Sequence, residues 1–272
     1  MVARVTILLV LGSAAFAQDA REIVKKSVEL DQADWARMKD YTWIARETIR
    51  DMDSNGSVKS EKTDEWETVV LYGEPHRRML QRDGKPLSAD DQRKEQVKLD
   101  KTVAKLERES PEQRARREAE YEQQREKDRE FLRDVPDIFD FALLGDEKID
   151  GHDVWVISAT PKPGVHPKHS DAKPLLKVRA KMWIDKAEYQ WVRLEAETTA
   201  TISFGLFIAR LNPGAKLVFE QARVNDEVWL PKRETVSGAG RVGLVKKIAA
   251  EQEVTWNNYR KFQVDSKVVA VQ

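Results

Sequence analysis

The sequence has no cysteine, no excess of either charge and no long apolar run beyond its N-terminal segment. Without cysteine the fold has no disulfide bonds, no thiol nucleophile and no attachment point for an N-terminal lipid. The 47 basic and 47 acidic side chains balance, so the chain lacks the positive field that non-specific binding of nucleic acid requires. After residue 17 no stretch is long and apolar enough to span a bilayer as a helix. We therefore expect a soluble mature chain.

The first 17 residues have the three regions of a secretory signal peptide. Arg4 supplies the basic region, residues 5–10 the apolar region, and Ala15 and Ala17 the small residues of a cleavage site. The apolar region is shorter than the roughly 20 residues that span a bilayer, so an N-terminal membrane anchor is the weaker alternative. We predict cleavage before Gln18, a single mature domain over 18–272, and a periplasmic or secreted location.

Known catalytic and metal-binding motifs do not occur. The chain contains no G-x-S-x-G sequence, no phosphate-binding glycine loop and no H-E-x-x-H sequence. His166 and His169 are the one close histidine pair, but no third ligand is near in sequence, and catalytic zinc takes three protein ligands. The sequence thus predicts no bound metal, no cofactor and no enzymatic activity.

The mature chain begins with a helical pattern and continues with strands. Apolar residues recur at helical spacing over 19–39, which predicts an amphipathic helix with Trp35 on its buried face. Strand-like patterns follow over 41–50, 59–72 and 76–82, separated by turns rich in Asn, Asp and Gly. We predict a meander of three antiparallel strands behind the first helix.

Residues 88–134 are dominated by charged and glutamine side chains. Ser88 precedes acidic residues, as expected at a helix N-terminus. Ser110 is followed by proline at the first helical position and by Gln113 at the capping-box position. We predict a helical hairpin or a bent pair of helices inserted into the domain. Either it is a solvated excursion stabilised by ion pairs along its own helices, which we favour, or it is an arm that docks a protein partner.

The pattern of the remaining residues predicts mainly strands joined by short turns. A short helix is expected over the apolar cluster at 138–144, and strands near 153–160, 175–185, 188–201, 215–224, 228–236, 242–256 and 259–264. Alternation of apolar and charged side chains over 178–184 and 192–197 gives each strand one buried and one wet face. The fold class is therefore α+β, with one large curled antiparallel sheet, an incomplete β-barrel, and an apolar hollow under the N-terminal helix.

The candidate ligand-binding residues are apolar. The nearly uncharged run at 203–211 is either a flap over the hollow or a core-filling turn of helix. It contributes Phe204, Leu206, Phe207, Ile208 and Leu211, and the apolar strand faces contribute Met182, Ile184 and Leu194. Most of the eight tryptophans are expected in the core. Trp183 alternates with the charged face of its strand, so we expect it to be the one that meets a partner.

Three short motifs give the chain a family resemblance. GHDVWVI at 151–157, MWID at 182–185 and NDEVWLP at 225–231, placed behind a signal peptide, a helix and a meander, resemble the lipoprotein-sorting and lipoprotein-carrier superfamily of the bacterial envelope. The resemblance covers most of the mature chain except 88–134. It implies an incomplete β-barrel with helices over its opening, and a soluble carrier that holds acyl chains inside.

Two hypotheses of function follow. The leading one is a periplasmic, non-enzymatic carrier of a hydrophobic ligand, either a lipid or the acyl chain of a lipoprotein. The alternative is an envelope scaffold in which the sheet is solid core and residues 88–134 dock a protein partner. A measured cavity of several hundred cubic ångströms would favour the carrier, because ligand sites have volumes of that order.

Overall fold

Thirteen strands make one antiparallel sheet in the computed structural model, which describes residues 11–53, 55–204, 209–242 and 246–261. The strands are β1 Tyr41–Met52, β2 Val58–Leu71, β3 Glu74–Arg82, β4 Lys85–Pro86, β5 Phe139–Ile149, β6 His152–Pro161, β7 Val178–Asp185, β8 Trp191–Thr198, β9 Ile202–Phe204, β10 Ala209–Leu211, β11 Lys216–Val224, β12 Val228–Val242 and β13 Lys246–Lys261. The helices are α1 Leu11–Arg37, α2 Ala89–Glu107, α3 Pro111–Arg129 and α4 Val135–Ile138. Short 3-10 helices lie at Met38–Asp40, Glu130–Asp134 and Ser170–Lys177.

The sheet is curled and open. Its strand order is β4-β3-β2-β1-β13-β12-β11-β8-β7-β6-β5, and no pairing within the described ranges joins the end strands β4 and β5. Strands β9 and β10 form a small hairpin off this path, attached through β10 to the end of β12. The predicted α+β class and the large antiparallel sheet with an N-terminal helix are confirmed.

Helix α1 crosses one face of this sheet and forms the main core. Its apolar residues recur every three or four positions, so one stripe of the helix faces the strands. The buried residues of that stripe are Ala20, Ile23, Val24 and Val28. They pack with α4 and with β5 to β8, while Met38 and Trp35 at the other end meet Tyr41 and Leu230 in a smaller cluster. We call this side of the sheet the helix face.

Helices α2 and α3 are the two helices predicted over residues 88–134. Ser88 accepts a hydrogen bond from the Asp91 backbone N–H, and Ser110 and Gln113 make the reciprocal bonds of a capping box. Leu106 of α2 is buried, and α2 contacts β3, so these helices are packed against their own domain.

The opposite face of the sheet is also buried at one place, contrary to expectation. Trp183 is 6 % exposed and packs with Val154, Val156, Val192 and Trp229. Its indole Nε1 donates to Glu147 at 2.8 Å. The expectation that Trp183 meets a partner is therefore wrong, because neighbouring strands cover it.

Two other predictions need correction. The cluster at 138–144 is strand β5 from Phe139 onward, since a short apolar run fits a buried strand as well as a helix. The break expected between strands at 242–256 and 259–264 lies inside one strand, β13, which runs over Lys246–Lys261. Asn258 in β13 has a positive φ of 54°, and the paired strand β1 carries a bulge between Thr42 and Ile44. Val242 ends β12, and residues 243–245 and 262–264 lie outside the described ranges.

The N-terminal prediction is not tested by the fold. Residues 1–10 lie outside the described residues, so the signal peptide stays a prediction. Among the helices that the structure describes, none has the length and hydrophobicity that crossing a membrane would need.

Candidate functional site

A row of three alanines forms the floor of an apolar cavity on the helix face. Ala159 of β6, Ala180 of β7 and Ala196 of β8 are direct partners across adjacent strands, so their side chains point to the same face. Leu217 of β11 and Val236 of β12 continue the row. Methyl groups fill little of the space above the sheet, and the cavity that remains has a volume of about 370 Å³.

Apolar side chains from the connecting segments form the walls. The segment that leads from α3 into β5 contributes Phe131, Leu132 and Val135, and the 3-10 helix at Ser170–Lys177 contributes Pro174 and Leu175. The hairpin of β9 and β10 supplies the remaining wall through Ile202 and Leu211. The cavity is thus bounded by elements from four separate parts of the chain.

Two glycines allow the hairpin to lie against β12. A Cβ atom on Gly240 would collide with the Arg210 carbonyl oxygen, and one on Gly238 would collide with the Ala215 side chain. The base of the hairpin is held by Thr198, whose hydroxyl donates to the Asn212 carbonyl at 2.8 Å and accepts from the Ala215 N–H at 3.0 Å. The wall therefore depends on backbone contact that only glycine permits.

Few polar groups border the cavity. Thr198 is engaged as just described, and Glu197 pairs with Arg179 at 2.9 Å. Lys216 is exposed at the rim. Trp191 contributes its ring, and its buried Nε1 has no acceptor within the described part of the chain. An apolar cavity of this kind suits a hydrocarbon chain.

The predicted site residues divide into three groups. Met182, Leu194 and Leu211 line the cavity, on three different strands. Ile184 is fully buried in the core beside α1 and does not line the cavity. Phe204 ends β9, but its side chain, like residues Leu206, Phe207 and Ile208, lies outside what the structure describes. Short strands flank that segment at Ile202–Phe204 and Ala209–Leu211.

The sequence does not predict the alanine row. The sequence does show that each of these alanines lies on the apolar side of its strand. Their alignment depends on the register of β6, β7 and β8, and the sequence does not give this register.

A second cleft of about 480 Å³ lies between α1 and α3 and is charged. Arg125 donates to the Trp35 carbonyl, Arg129 pairs with Asp31, and Arg133 pairs with Glu126 at 2.7 Å. Its arginines therefore already have partners within the protein, and we take the apolar cavity as the candidate site.

The histidine pair does not form a metal site. The His169 backbone N–H donates to Asp134 at 2.8 Å, its Nδ1 lies 2.9 Å from the same carboxylate, and its Nε2 lies 3.2 Å from Glu130, so His169 links two of the cavity walls. Within the described ranges no three histidine or carboxylate side chains come close enough to hold a metal ion.

Comparison with known proteins finds similar structures at low sequence identity. No family model and no curated protein matches the chain. A DUF1329 family protein from Desulfovibrio piger is 14 % identical, with a TM-score of 0.34, and the match covers 93 % of this chain and 95 % of that one. A putative outer membrane lipoprotein-sorting protein domain from Vibrio parahaemolyticus is 14 % identical, with a TM-score of 0.33, over 90 % and 95 % of the two chains. A LolA superfamily protein from Nitrosomonas europaea is 10 % identical, with a TM-score of 0.30, over 90 % and 94 %. The lipoprotein-sorting resemblance expected from the sequence recurs in the name of the Vibrio parahaemolyticus protein, at a TM-score below 0.5.

Proposed function

We propose that this chain is a periplasmic, non-enzymatic carrier that holds the hydrocarbon chain of a lipid or lipoprotein in the cavity above the alanine row. The observation that carries the proposal is the cavity itself, which has a volume of about 370 Å³ and an almost entirely apolar lining. Ligand sites begin at about this volume, and burial of a hydrocarbon chain is favourable by roughly 0.8 kcal/mol per methylene. The predicted signal peptide supports the location.

The segment at 203–211 has a role in this proposal. Ile202, the residue before this segment, and Leu211, its last residue, border the cavity. We propose that Phe204, Leu206, Phe207 and Ile208 extend the wall and contact the ligand.

The scaffold alternative has less support. Arg117 of α3 pairs with Glu74 at 2.7 Å and with Glu109 at 3.0 Å, and Arg125 and Arg129 contact α1. The helical segment at 88–134 is thus held by its own domain, and no observation specifically favours a protein partner there.

Filling the cavity tests the proposal. Ala180→Leu adds three carbon atoms to the middle of the floor, where they take the space of the ligand. We expect the wild type to bind a fluorescent fatty acid, and Ala180→Leu to weaken that binding at least about tenfold, the equivalent of 1.4 kcal/mol. Lipid extraction and native mass spectrometry of periplasm-purified protein should give bound lipid for the wild type only.

The matched control is Ala142→Leu. Ala142 is exposed on β5, two strands from β7 in the sheet, next to Phe141, which faces the core. This variant adds the same atoms on the other face of the sheet and should bind as the wild type does. A wild type that is consistently empty and takes up no probe would overturn the carrier proposal.

A further inference from the structure

One carboxylate lies on the helix face next to the cavity. Glu234 of β12 pairs directly with Phe219 of β11, and Phe219 pairs with Leu194 of β8. Direct partners share a face, so Glu234 stands on the same side of the sheet as Leu194, two strands or roughly 10 Å away. Val236, two residues or roughly 7 Å along β12, lines the cavity.

Glu234 has no partner in the described part of the chain. It makes no hydrogen bond or ion pair there, and its cross-strand neighbours Phe219 and Val254 are apolar. It is half-buried, and burial alone raises the pKa of its carboxyl group. Most carboxylates of this sheet have a cation beside them, as Glu253 has Arg233 at 2.6 Å. A carboxylate that loses hydration without gaining a partner is costly to keep ionised.

The rim of the cavity also carries a cation, but in a different setting. Lys216 pairs across the strands with Glu197, and alternation places it on the opposite face from Leu217. It is exposed. A pair formed there with an anion would gain little, since exposed ion pairs are screened by solvent.

We propose that Glu234 binds the positively charged head group of an amphiphile whose hydrocarbon tail occupies the cavity. The inference rests on the proposed function for the tail and adds the charge of the head. An ammonium group beside Glu234 supplies the missing counter-charge, while the tail lies along the row that Phe219 and Leu194 begin. An amphiphile with an amine-bearing or quaternary ammonium head fits this arrangement.

The test compares head groups on one tail length. Dodecyltrimethylammonium, dodecyl maltoside and laurate, each below its micellar concentration, compete with the neutral apolar dye N-phenylnaphthylamine for the wild type, Glu234→Gln and Glu253→Gln. In the wild type the cationic compound should bind about tenfold more tightly than the neutral one, because its quaternary ammonium, which has no N–H to donate, can still form an ion pair with the half-buried carboxylate. Glu234→Gln should remove this preference. Glu253→Gln, on the adjacent strand and the other face, should retain it.

The outcomes separate the two proposals. Equal binding of all three compounds leaves the carrier function standing and overturns the head-group inference. Tighter binding of laurate, abolished in Lys216→Gln, also overturns it and assigns the head to the rim lysine. A wild type that binds neither the dye nor any of the compounds overturns both proposals.

Discussion

Asp31 joins three elements at a single buried carboxylate. It lies on α1, is 3 % exposed, pairs with Arg129 of α3 and accepts from Gln221 of β11 at 3.1 Å. Burial raises the pKa of Asp31, and the charge of Arg129 opposes that rise. The guanidinium of Arg129 also lies 4.6 Å from the centre of the Trp35 ring. The position of α3 on the domain therefore depends strongly on Arg129.

Arg129→Met is expected to lower the free energy of unfolding by about 3 kcal/mol, because removal of one partner leaves Asp31 buried and uncompensated. Arg116→Met on the same helix is the control. Arg116 pairs with Glu120 in an exposed i,i+4 pair, and its loss should leave the free energy of unfolding almost unchanged. Urea unfolding measures both. Equal effects of the two substitutions would show that the Asp31 contact does not hold α3.

At the scale of elements, α3 packs against the domain through a face that consists mainly of charged side chains. Arg117, Tyr121, Arg125 and Arg129 are four residues apart, so they form one stripe along the helix. Three of them contact α1, β3 or the turn before β3. The sequence predicts the two helices and their caps, since these depend on local chemistry. It does not predict the docking, because an arginine that reaches an internal partner looks the same as one in solvent.

The strands divide in the same way. Alternation identified most of them, and Met182 and Leu194 were placed on the correct face. The prediction of a helix at 138–144 was wrong because this apolar run has neither a clear helical nor a clear strand period. Trp183 was expected to meet a partner, but both faces of the sheet are buried at its position. The sequence predicts an apolar hollow but not its lining. The alanine floor depends on the register of the strands, and the glycine-dependent wall depends on backbone contact between residues that are distant in sequence.

The hairpin of β9 and β10 gives a test at this scale. Gly240→Val places a branched side chain against the Arg210 carbonyl and should push the hairpin from β12, at a cost of about 2 kcal/mol in stability. Binding of the dye should weaken about tenfold, since Ile202 and Leu211 move with the hairpin. Ala239→Val, at the next residue and exposed, should change stability by less than about 0.5 kcal/mol and leave binding intact. Unchanged binding in Gly240→Val would mean that the hairpin is not a wall of the site.

At the scale of the whole molecule, the open sheet explains how a small core and a cavity coexist. Helix α1 covers the strands at one end of the helix face, and the alanine row leaves the adjacent region unfilled. A packed interior there would need larger residues at 159, 180 and 196. The cavity is therefore a property of three strands in register, supported by walls that belong to the rest of the chain.

This arrangement predicts that ligand and folding are linked. A ligand that binds only the folded chain stabilises it by about 2.7 kcal/mol at a concentration one hundred times its Kd. In a chain of this length that gain corresponds to a rise in Tm of roughly 5–10 °C. Thermal unfolding with and without the neutral dye should show this rise for the wild type and for Ala142→Leu. At the same dye concentration Ala180→Leu should show at most about half of this rise, whatever the stability of its ligand-free form, because tenfold weaker binding leaves about 1.4 kcal/mol of stabilisation. If Ala180→Leu gained as much as the wild type, the dye would have to bind elsewhere on the molecule, and the cavity would not be its site.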